Sequence, residues 1–256
     1  MSTTVDALVA ALAPAIRSGR KLAPGMLDAL AVSTAEAYAA QTAIVVALGG
    51  RVAGWKVGYG PDGAPAAAPL LEAGVGDAGR KVVLPPDRGV LIEIEIAFRL
   101  RSDLPPRRSR PYTRGEVVDA VELAQCGAEV LAPRAGMPSE GTPFPRFIAD
   151  LQANCGYVVG NGTTGFRNLD LSACRTRIRI GRAYVHDAIG GHPQGDPWAP
   201  VLGWANAQCD GLGGLKAGQI LTTGSLHKPI PVDRPAKIRA GVEGVGEVSL
   251  EIVRRG

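Results

Sequence analysis

Histidine is scarce in this chain, and the arrangement of a serine hydrolase is missing. Its 256 residues include three histidines, His186, His192 and His227, and no G-x-S-x-G segment. A serine hydrolase of that type needs a nucleophile on a sharp strand-to-helix turn and a histidine base that activates it. The sequence therefore argues against Ser-His-Asp chemistry.

Cysteine pairs and long apolar runs are also lacking. The four cysteines include no C-x-x-C pair, and their spacing fits no zinc site; they are Cys126, Cys155, Cys174 and Cys209. Four cysteines without such a pattern predict reduced thiols in the core of a cytoplasmic protein. Asp6 interrupts the first residues before any apolar run, and no stretch of about 18 apolar residues follows. We therefore predict neither a signal peptide nor a membrane span.

Aromatic residues and charge are too sparse for a nucleic-acid surface. Hydrophobic residues make up 46% of the chain and charged residues 20%, which predicts a packed core rather than disorder. The net charge is +4, the basic residues are scattered, and only five Tyr and four Phe could stack on bases. This composition excludes nucleic acid as a favoured partner and is compatible with a small anionic substrate.

The pattern along the chain predicts helices first and a mostly β body afterwards. Residues 4–18 have helical spacing, and a second helix begins at a capping box formed by Ser33 and Glu36. We predict a strand around Lys56, a long loop over residues 60–89 with one helical turn in it, and a strand over residues 90–100. Gly58, Gly60 and Gly63 formally give G-x-G-x-x-G, but no βαβ units follow, which argues against a dinucleotide site.

A second capping box, Thr113 with Glu116, predicts a helix that continues to Gly127, followed by a short strand carrying Glu129. The pattern of residues 144–160 predicts a helix, and further strands are predicted in the rest of the chain. The fold class is α/β (mixed). We expect an N-terminal helical part, residues 1–52, and a catalytic body, residues 53–256, that form one structural unit.

The segment "VLIEIEIAFRL", residues 90–100, carries the most informative chemistry. Side chains two apart in a strand share a face, so Glu93 and Glu95 stand side by side in an apolar strand. They could mark the wet face of an edge strand, or they could hold a hard divalent ion such as Mg²⁺ or Mn²⁺. Glu129 is the candidate for a third carboxylate, and Glu122, placed inside the predicted helix, is its competitor.

Lys56 follows Trp55 in an otherwise apolar strand. It could extend its charged end to the surface while its stem packs against apolar neighbours. Alternatively, it could lie in a pocket where it binds a carboxylate or transfers a proton.

Several segments, in order and separation, resemble the 2-keto-4-pentenoate hydratase family of the fumarylacetoacetase-like superfamily, whose related members decarboxylate 4-oxalocrotonate. The resemblance covers most of the chain and rests on the segments "AYAAQ", "GWKVG", "EIEIAFRL", "AEVLAPR", "IADLQANCGYVVGNG", "LKAGQILTTGSL" and "GVGEVSLEI". It implies a fumarylacetoacetase-like β-roll body and a homo-oligomer. Two positions depart from the family pattern: Ala132 replaces an Asp, and Leu151 replaces a polar residue.

The resemblance also implies roles for particular residues. Glu93, Glu95 and Glu129 would bind Mg²⁺ or Mn²⁺, and Lys56 would be catalytic and substrate-binding. The turn at Thr223, Gly224 and Ser225 would hold a substrate carboxylate.

The implied activity is a hydro-lyase reaction that needs no organic cofactor. Water would add to a small 2-hydroxydienoate or 2-oxoenoate, such as 2-oxopent-4-enoate, in aromatic meta-cleavage catabolism. Decarboxylation of a 2-oxo-3-enedioate such as 4-oxalocrotonate is the first alternative. A non-catalytic relative that binds 2-oxo acids is the second, motivated by Ala132 and Leu151. Hydrolytic members of the superfamily carry a histidine upstream of the E-x-E strand, and this chain has none before His186.

Overall fold

The structure, a computed structural model, describes residues 2–255 and contains five helices and thirteen strands within them. The helices are α1 (Thr3–Ser18), α2 (Thr34–Ala47), α3 (Arg114–Asp119), α4 (Phe144–Ala149) and α5 (Trp198–Ala207). The strands are β1 (Val52–Tyr59), β2 (Pro65–Leu71), β3 (Val75–Asp77), β4 (Arg80–Val83), β5 (Val90–Leu100), β6 (Val121–Leu131), β7 (Asn154–Thr163), β8 (Arg175–Ile180), β9 (Ala183–Ile189), β10 (Ile220–Ser225), β11 (Ile230–Val232), β12 (Ala236–Val242) and β13 (Gly246–Val253).

The two N-terminal helices begin where their capping residues satisfy free backbone N–H groups. In α1, the Ser2 hydroxyl accepts a hydrogen bond from the Val5 N–H at 3.3 Å. In α2, Ser33 and Glu36 form the reciprocal capping box that the sequence predicts. Both predicted helices are confirmed.

Two sheets make up the body. The first has the order β2-β1-β10-β5-β6-β7-β3, with β11 also paired to β5, and the second has the order β4-β13-β12-β8-β9. Strand β5 therefore has hydrogen-bonded neighbours on both sides, and its face with Ile92, Ile94 and Ile96 is fully buried. Burying each isoleucine contributes about 1.5–3 kcal/mol. This packing fixes which face carries Glu93 and Glu95.

One continuous core joins the helices to both sheets. It includes Leu8 of α1, Ile44 of α2, Ile94 of β5 and Leu250 of β13. A smaller cluster, which includes Tyr157, lies on the opposite face of the first sheet. The mixed α/β class and the helical N-terminal segment match expectation. No helix within residues 2–255 is long and apolar enough to cross a membrane.

Residues 60–89, predicted as a long loop with one helical turn, form three strands and a 3-10 turn, so the turn is confirmed and the loop is wrong. Strand β2 pairs antiparallel with β1 from Pro65 to Leu71. Its alanines have low intrinsic strand preference, but burial against the core decides their conformation. Because β2 is at the edge of the sheet, Pro69 costs no ladder hydrogen bond on its free side.

The predicted helices of the middle segment are too long. The Thr113–Glu116 capping box is present, but α3 ends at Asp119, and β6 runs from Val121 through Glu122 to Leu131. Likewise, α4 stops at Ala149 and β7 begins at Asn154. The helical pattern was overridden because β6 hydrogen-bonds to both β5 and β7.

Candidate active site

Three carboxylates meet on one face of the first sheet. Glu93 of β5 lies directly opposite Glu129 of β6, and Glu95 follows two residues later on the same face. One carboxylate oxygen from each lies within 4.8 Å of the others. Glu95 is 1% exposed and Glu129 is completely buried, so this is not the wet face of an edge strand.

The competitor Glu122 is excluded from this cluster. It lies on β6 rather than in a helix, near the other end of the strand, and it is exposed.

The electrostatics of the cluster favour a cation. Burial, followed by the nearby charge of Glu129, raises the pKa of Glu93 to about 7, although Lys56 opposes the shift. Burial and the charges of Glu129 and Glu93 raise the pKa of Glu95 well above its usual range. Charged carboxylates this close and this buried repel each other unless positive charge lies between them.

Lys56 supplies part of that charge. Its Nζ forms an ion pair with Glu129 Oε1 at 2.8 Å and donates to the Gln152 carbonyl at 3.1 Å. Burial alone would lower the pKa of Lys56, but the charges of Glu129 and Glu93 outweigh it and raise the pKa. Lys56 therefore lies in the site as an ammonium group and does not reach to the surface.

Glu129 has one oxygen engaged and one free. Oε1 accepts hydrogen bonds from Lys56 and from Asn154 Nδ2, the latter at 2.8 Å. Oε2 is buried and has no hydrogen-bond partner among residues 2–255. A buried carboxylate oxygen without a partner is costly. Three converging carboxylates with one such oxygen fit a hard divalent ion such as Mg²⁺ or Mn²⁺.

The turn at the end of β10 lies beside Glu95. The Gly224 N–H donates to Glu95 Oε2 at 3.3 Å. The Thr223 hydroxyl donates to the Ile96 carbonyl, and the Ser225 hydroxyl donates to the His227 carbonyl, both at 2.7 Å. Either hydroxyl must leave its backbone carbonyl before it can donate to a substrate carboxylate.

A turn that the sequence did not predict holds Lys56 and Glu129 in place. Leu151, Gln152 and Ala153 have φ values of 51°, 49° and 63°, a left-handed conformation that costs about 1–2 kcal/mol per residue. This turn directs the Gln152 carbonyl to Lys56 and leads into Asn154, which binds Glu129. No glycine marks it in the sequence.

A buried ion pair clamps this turn. Arg134 Nε donates to Asp150 Oδ1 at 2.6 Å, and Nη1 donates to the Asn154 carbonyl at 2.7 Å. Nη2 donates to the Asp150 carbonyl at 2.6 Å. The Arg134 side chain therefore spans the strained residues from one end to the other and offsets their cost.

Replacing Arg134 by methionine is expected to lower the free energy of unfolding by about 3–5 kcal/mol, because it leaves the buried Asp150 carboxylate without its cation. Urea unfolding measures this loss. Arg167→Met, which removes an exposed ion pair with Asp119, is the control and should change stability by less than about 1 kcal/mol. Equal effects of the two variants would contradict the clamp.

The raised pKa of Glu93 predicts how pH and Mg²⁺ act together. A carboxyl with a raised pKa stabilises the metal-free fold while protonated, and that contribution is lost as pH rises from its unfolded value of 4.5 to about 7. A cation needs the ionised form, so saturating Mg²⁺ should raise Tm by several degrees at about pH 8 and by less at about pH 5.5. Differential scanning calorimetry at both pH values measures this, and a larger rise at pH 5.5 would contradict it.

Comparison with known proteins agrees with this fold. No protein-family profile matches the chain. The chain is 27% identical over 261 residues to 2-keto-4-pentenoate hydratase 2 of Dechloromonas aromatica (strain RCB), covering 95% of each chain. It is 27% identical over 250 residues to 2-keto-4-pentenoate hydratase of Paraburkholderia xenovorans (strain LB400), covering 93% of this chain and 90% of the relative.

The fold is similar to that of 4-oxalocrotonate decarboxylase from Pseudomonas putida G7, solved with magnesium and adipate, with a TM-score of 0.82, 20% identity and 97% of each chain covered. The chain therefore has a fumarylacetoacetase-like α/β fold. Over nearly its whole length, the sequence is similar to proteins named 2-keto-4-pentenoate hydratase.

Proposed function

We propose that this chain is a metal-dependent hydro-lyase that adds water to a small 2-hydroxydienoate or 2-oxoenoate such as 2-oxopent-4-enoate. The observation that carries the proposal is the buried cluster of Glu93, Glu95 and Glu129, with Lys56 ion-paired inside it. A metal cluster of this kind can serve several reactions. The relatives aligned over nearly the whole chain are named hydratases, which supports hydration as the reaction.

In this proposal, Glu93, Glu95 and Glu129 hold Mg²⁺ or Mn²⁺. Such an ion, when bound, polarises the substrate's 2-oxo group and stabilises the negative charge that develops on that oxygen. The chain's own contribution is to fix three oxygen ligands on two paired strands, so that little rearrangement is needed when the charge develops.

Lys56 has two roles in the proposal. Its ammonium group offsets the negative charge of the substrate carboxylate, and it moves a proton when the dienol is converted to the keto form. Its ion pair with Glu129 and its bond to the Gln152 carbonyl hold the charged group in the site while substrate binds. Water then adds across the conjugated double bond, giving a 4-hydroxy-2-oxo acid.

The turn of Thr223, Gly224 and Ser225 is proposed to hold the substrate carboxylate. It lies directly beside Glu95, so a substrate whose 2-oxo group approaches the three glutamates has its carboxylate at this turn. Ser225 is partly exposed, and its hydroxyl can exchange its bond to the His227 carbonyl for one to the substrate.

We also propose a cytoplasmic location and a homo-oligomer. All four cysteines, which lie within residues 2–255, are free thiols, as expected in a reducing compartment. Strand β9 lies at a sheet edge and exposes Tyr184, Val185 and Ile189, which is typical of a surface that pairs with another chain. Sedimentation equilibrium at several protein concentrations tests the assembly, and a monomer at all of them would contradict it.

Turnover of freshly generated 2-hydroxypenta-2,4-dienoate tests the proposed reaction. We expect loss of the dienol absorbance with Mg²⁺, its arrest by EDTA, and 4-hydroxy-2-oxopentanoate as the product. If the dienol persists with metal present, the hydratase proposal is wrong and 4-oxalocrotonate is the next substrate. Failure with both would favour a relative that binds 2-oxo acids without catalysis.

A further inference from the structure

The backbone of Ile94, between the two glutamates of β5, lies at a break in the sheet. The ladder between β5 and β10 pairs Ala97 with Thr222 and then Glu95 with Ser225. Three residues of β10 therefore span two of β5, which is a β-bulge. Strand β11 resumes the pairing only at Ile92. Ile94 is left between the two paired segments.

A side chain completes the missing pair. The Ile94 carbonyl accepts from the Leu226 N–H at 3.0 Å, as in an ordinary ladder. The Ile94 N–H, in contrast, donates to Nε2 of His227 at 2.9 Å. Nε2 of the imidazole therefore accepts the hydrogen bond that a backbone carbonyl accepts elsewhere along β5.

The second ring nitrogen determines the protonation of His227. Nδ1 lies 2.7 Å from the Lys228 carbonyl, which can only accept a hydrogen bond. Nδ1 must therefore carry the hydrogen, and Nε2 keeps the lone pair that accepts from Ile94. Both contacts require one neutral tautomer. Burial lowers the pKa of His227, which is consistent with that neutral form.

His227 also connects the strand to the turn. Its carbonyl accepts from the Ser225 hydroxyl at 2.7 Å. One residue thus contacts the backbone between Glu93 and Glu95 through its ring and the proposed carboxylate turn through its main chain.

We propose that His227 is a positioning residue, whose neutral Nδ1–H imidazole accepts the Ile94 N–H and so fixes the backbone from which Glu93 and Glu95 project. The part that concerns metal affinity rests on the proposed function, whereas the hydrogen bond itself does not. Without the acceptor, the Ile94 N–H loses its partner, and the segment between the two glutamates is free to shift. Partners that orient metal ligands typically change affinity by about 10–100-fold when removed.

Neighbouring residues supply matched controls. His186 lies beside His227, with ring centroids 5.2 Å apart and the ring planes tilted by 43°, yet its buried Nε2 has no hydrogen-bond partner among residues 2–255. His186→Leu thus removes an adjacent imidazole but no hydrogen bond. His227→Leu removes the acceptor, and His227→Gln keeps an oxygen acceptor on a side chain of similar reach.

The test combines NMR with Mn²⁺ binding followed by electron paramagnetic resonance. In the natural protein, ¹⁵N shifts should show the Nδ1–H tautomer of His227. His227→Leu should speed hydrogen exchange of the Ile94 amide and weaken Mn²⁺ binding about tenfold or more, His227→Gln should recover part of both, and His186→Leu should change neither.

Three results would overturn the inference: an Nε2–H tautomer, unchanged exchange at Ile94 in His227→Leu, or unchanged Mn²⁺ affinity in that variant. If the natural protein binds no Mn²⁺, the proposed function fails, and the tautomer and exchange measurements still decide the hydrogen bond separately. If His227→Leu does not fold, the His227 tautomer in the natural protein and the exchange rate of the Ile94 amide in His227→Gln decide whether the hydrogen bond exists.

Discussion

Replacing Glu95 by glutamine is expected to reduce turnover of the dienol by about 1000-fold or more. The variant keeps the size of the side chain but removes one of three carboxylates that are proposed to hold the ion, and metal catalysis of this type supplies several kcal/mol of transition-state stabilisation. Mn²⁺ binding followed by electron paramagnetic resonance should weaken in parallel. Steady-state kinetics at saturating Mg²⁺ measures the loss in kcat.

The matched control is Glu122→Gln. Glu122 carries the same chemical group on β6, the strand that bears Glu129, but it is exposed and outside the cluster. It should leave both turnover and Mn²⁺ affinity unchanged. Full turnover by Glu95→Gln, or equal losses in the two variants, would show that the cluster is not the catalytic metal site.

Lys56→Met is expected to lower kcat by about 100- to 10,000-fold, the range over which a positioned proton-transfer group acts. Because Lys56 competes for Glu129 Oε1, its removal should leave Mn²⁺ affinity unchanged or increase it. A lower kcat with Mn²⁺ affinity retained would distinguish the role of Lys56 from that of the glutamates. Steady-state kinetics and Mn²⁺ titration of the same preparation measure both quantities.

Lys216→Met is the control for Lys56→Met. Lys216 forms an exposed ion pair with Asp103, neither residue belongs to the cluster, and such pairs contribute little. It should keep the natural kcat. A Lys56→Met variant that turns over normally would exclude the proton-transfer role, and one that loses Mn²⁺ as fully as Glu95→Gln would show that Lys56 acts on the structure of the site instead.

Strand β5 shows what local pattern can predict. Its alternation placed Ile92, Ile94 and Ile96 on one face and Glu93 and Glu95 on the other, because the period of a strand is fixed by its backbone. Which strands lie on either side of β5 depends on long-range pairing, and the pattern of the strand alone does not specify this. The position of Glu129 opposite Glu93 is a property of that register.

Strands β2 and β6 show where the same reasoning failed. The "PAAAPLL" segment has little strand preference of its own, and "VELAQCG" has apolar residues at spacings that also fit a helix. In the folded chain, hydrogen bonds to neighbouring strands decide both conformations. The apolar spacing therefore predicts a helix around Glu122, which lies on a strand instead.

The parts of the site that the sequence did not predict depend on tertiary contacts. The left-handed conformation of Leu151, Gln152 and Ala153 has no local signal, because those residues ordinarily avoid it, and Arg134 compensates for its cost. The contact of His227 with Ile94 joins residues far apart in the chain, and a single histidine after a turn does not indicate it.

The most direct test of the central claim is the anomalous difference map of a crystal soaked with Mn²⁺. We predict one strong peak within about 2.5 Å of a carboxylate oxygen of each of Glu93, Glu95 and Glu129. A peak elsewhere with none at these residues, or an empty cluster at saturating Mn²⁺, would contradict the account.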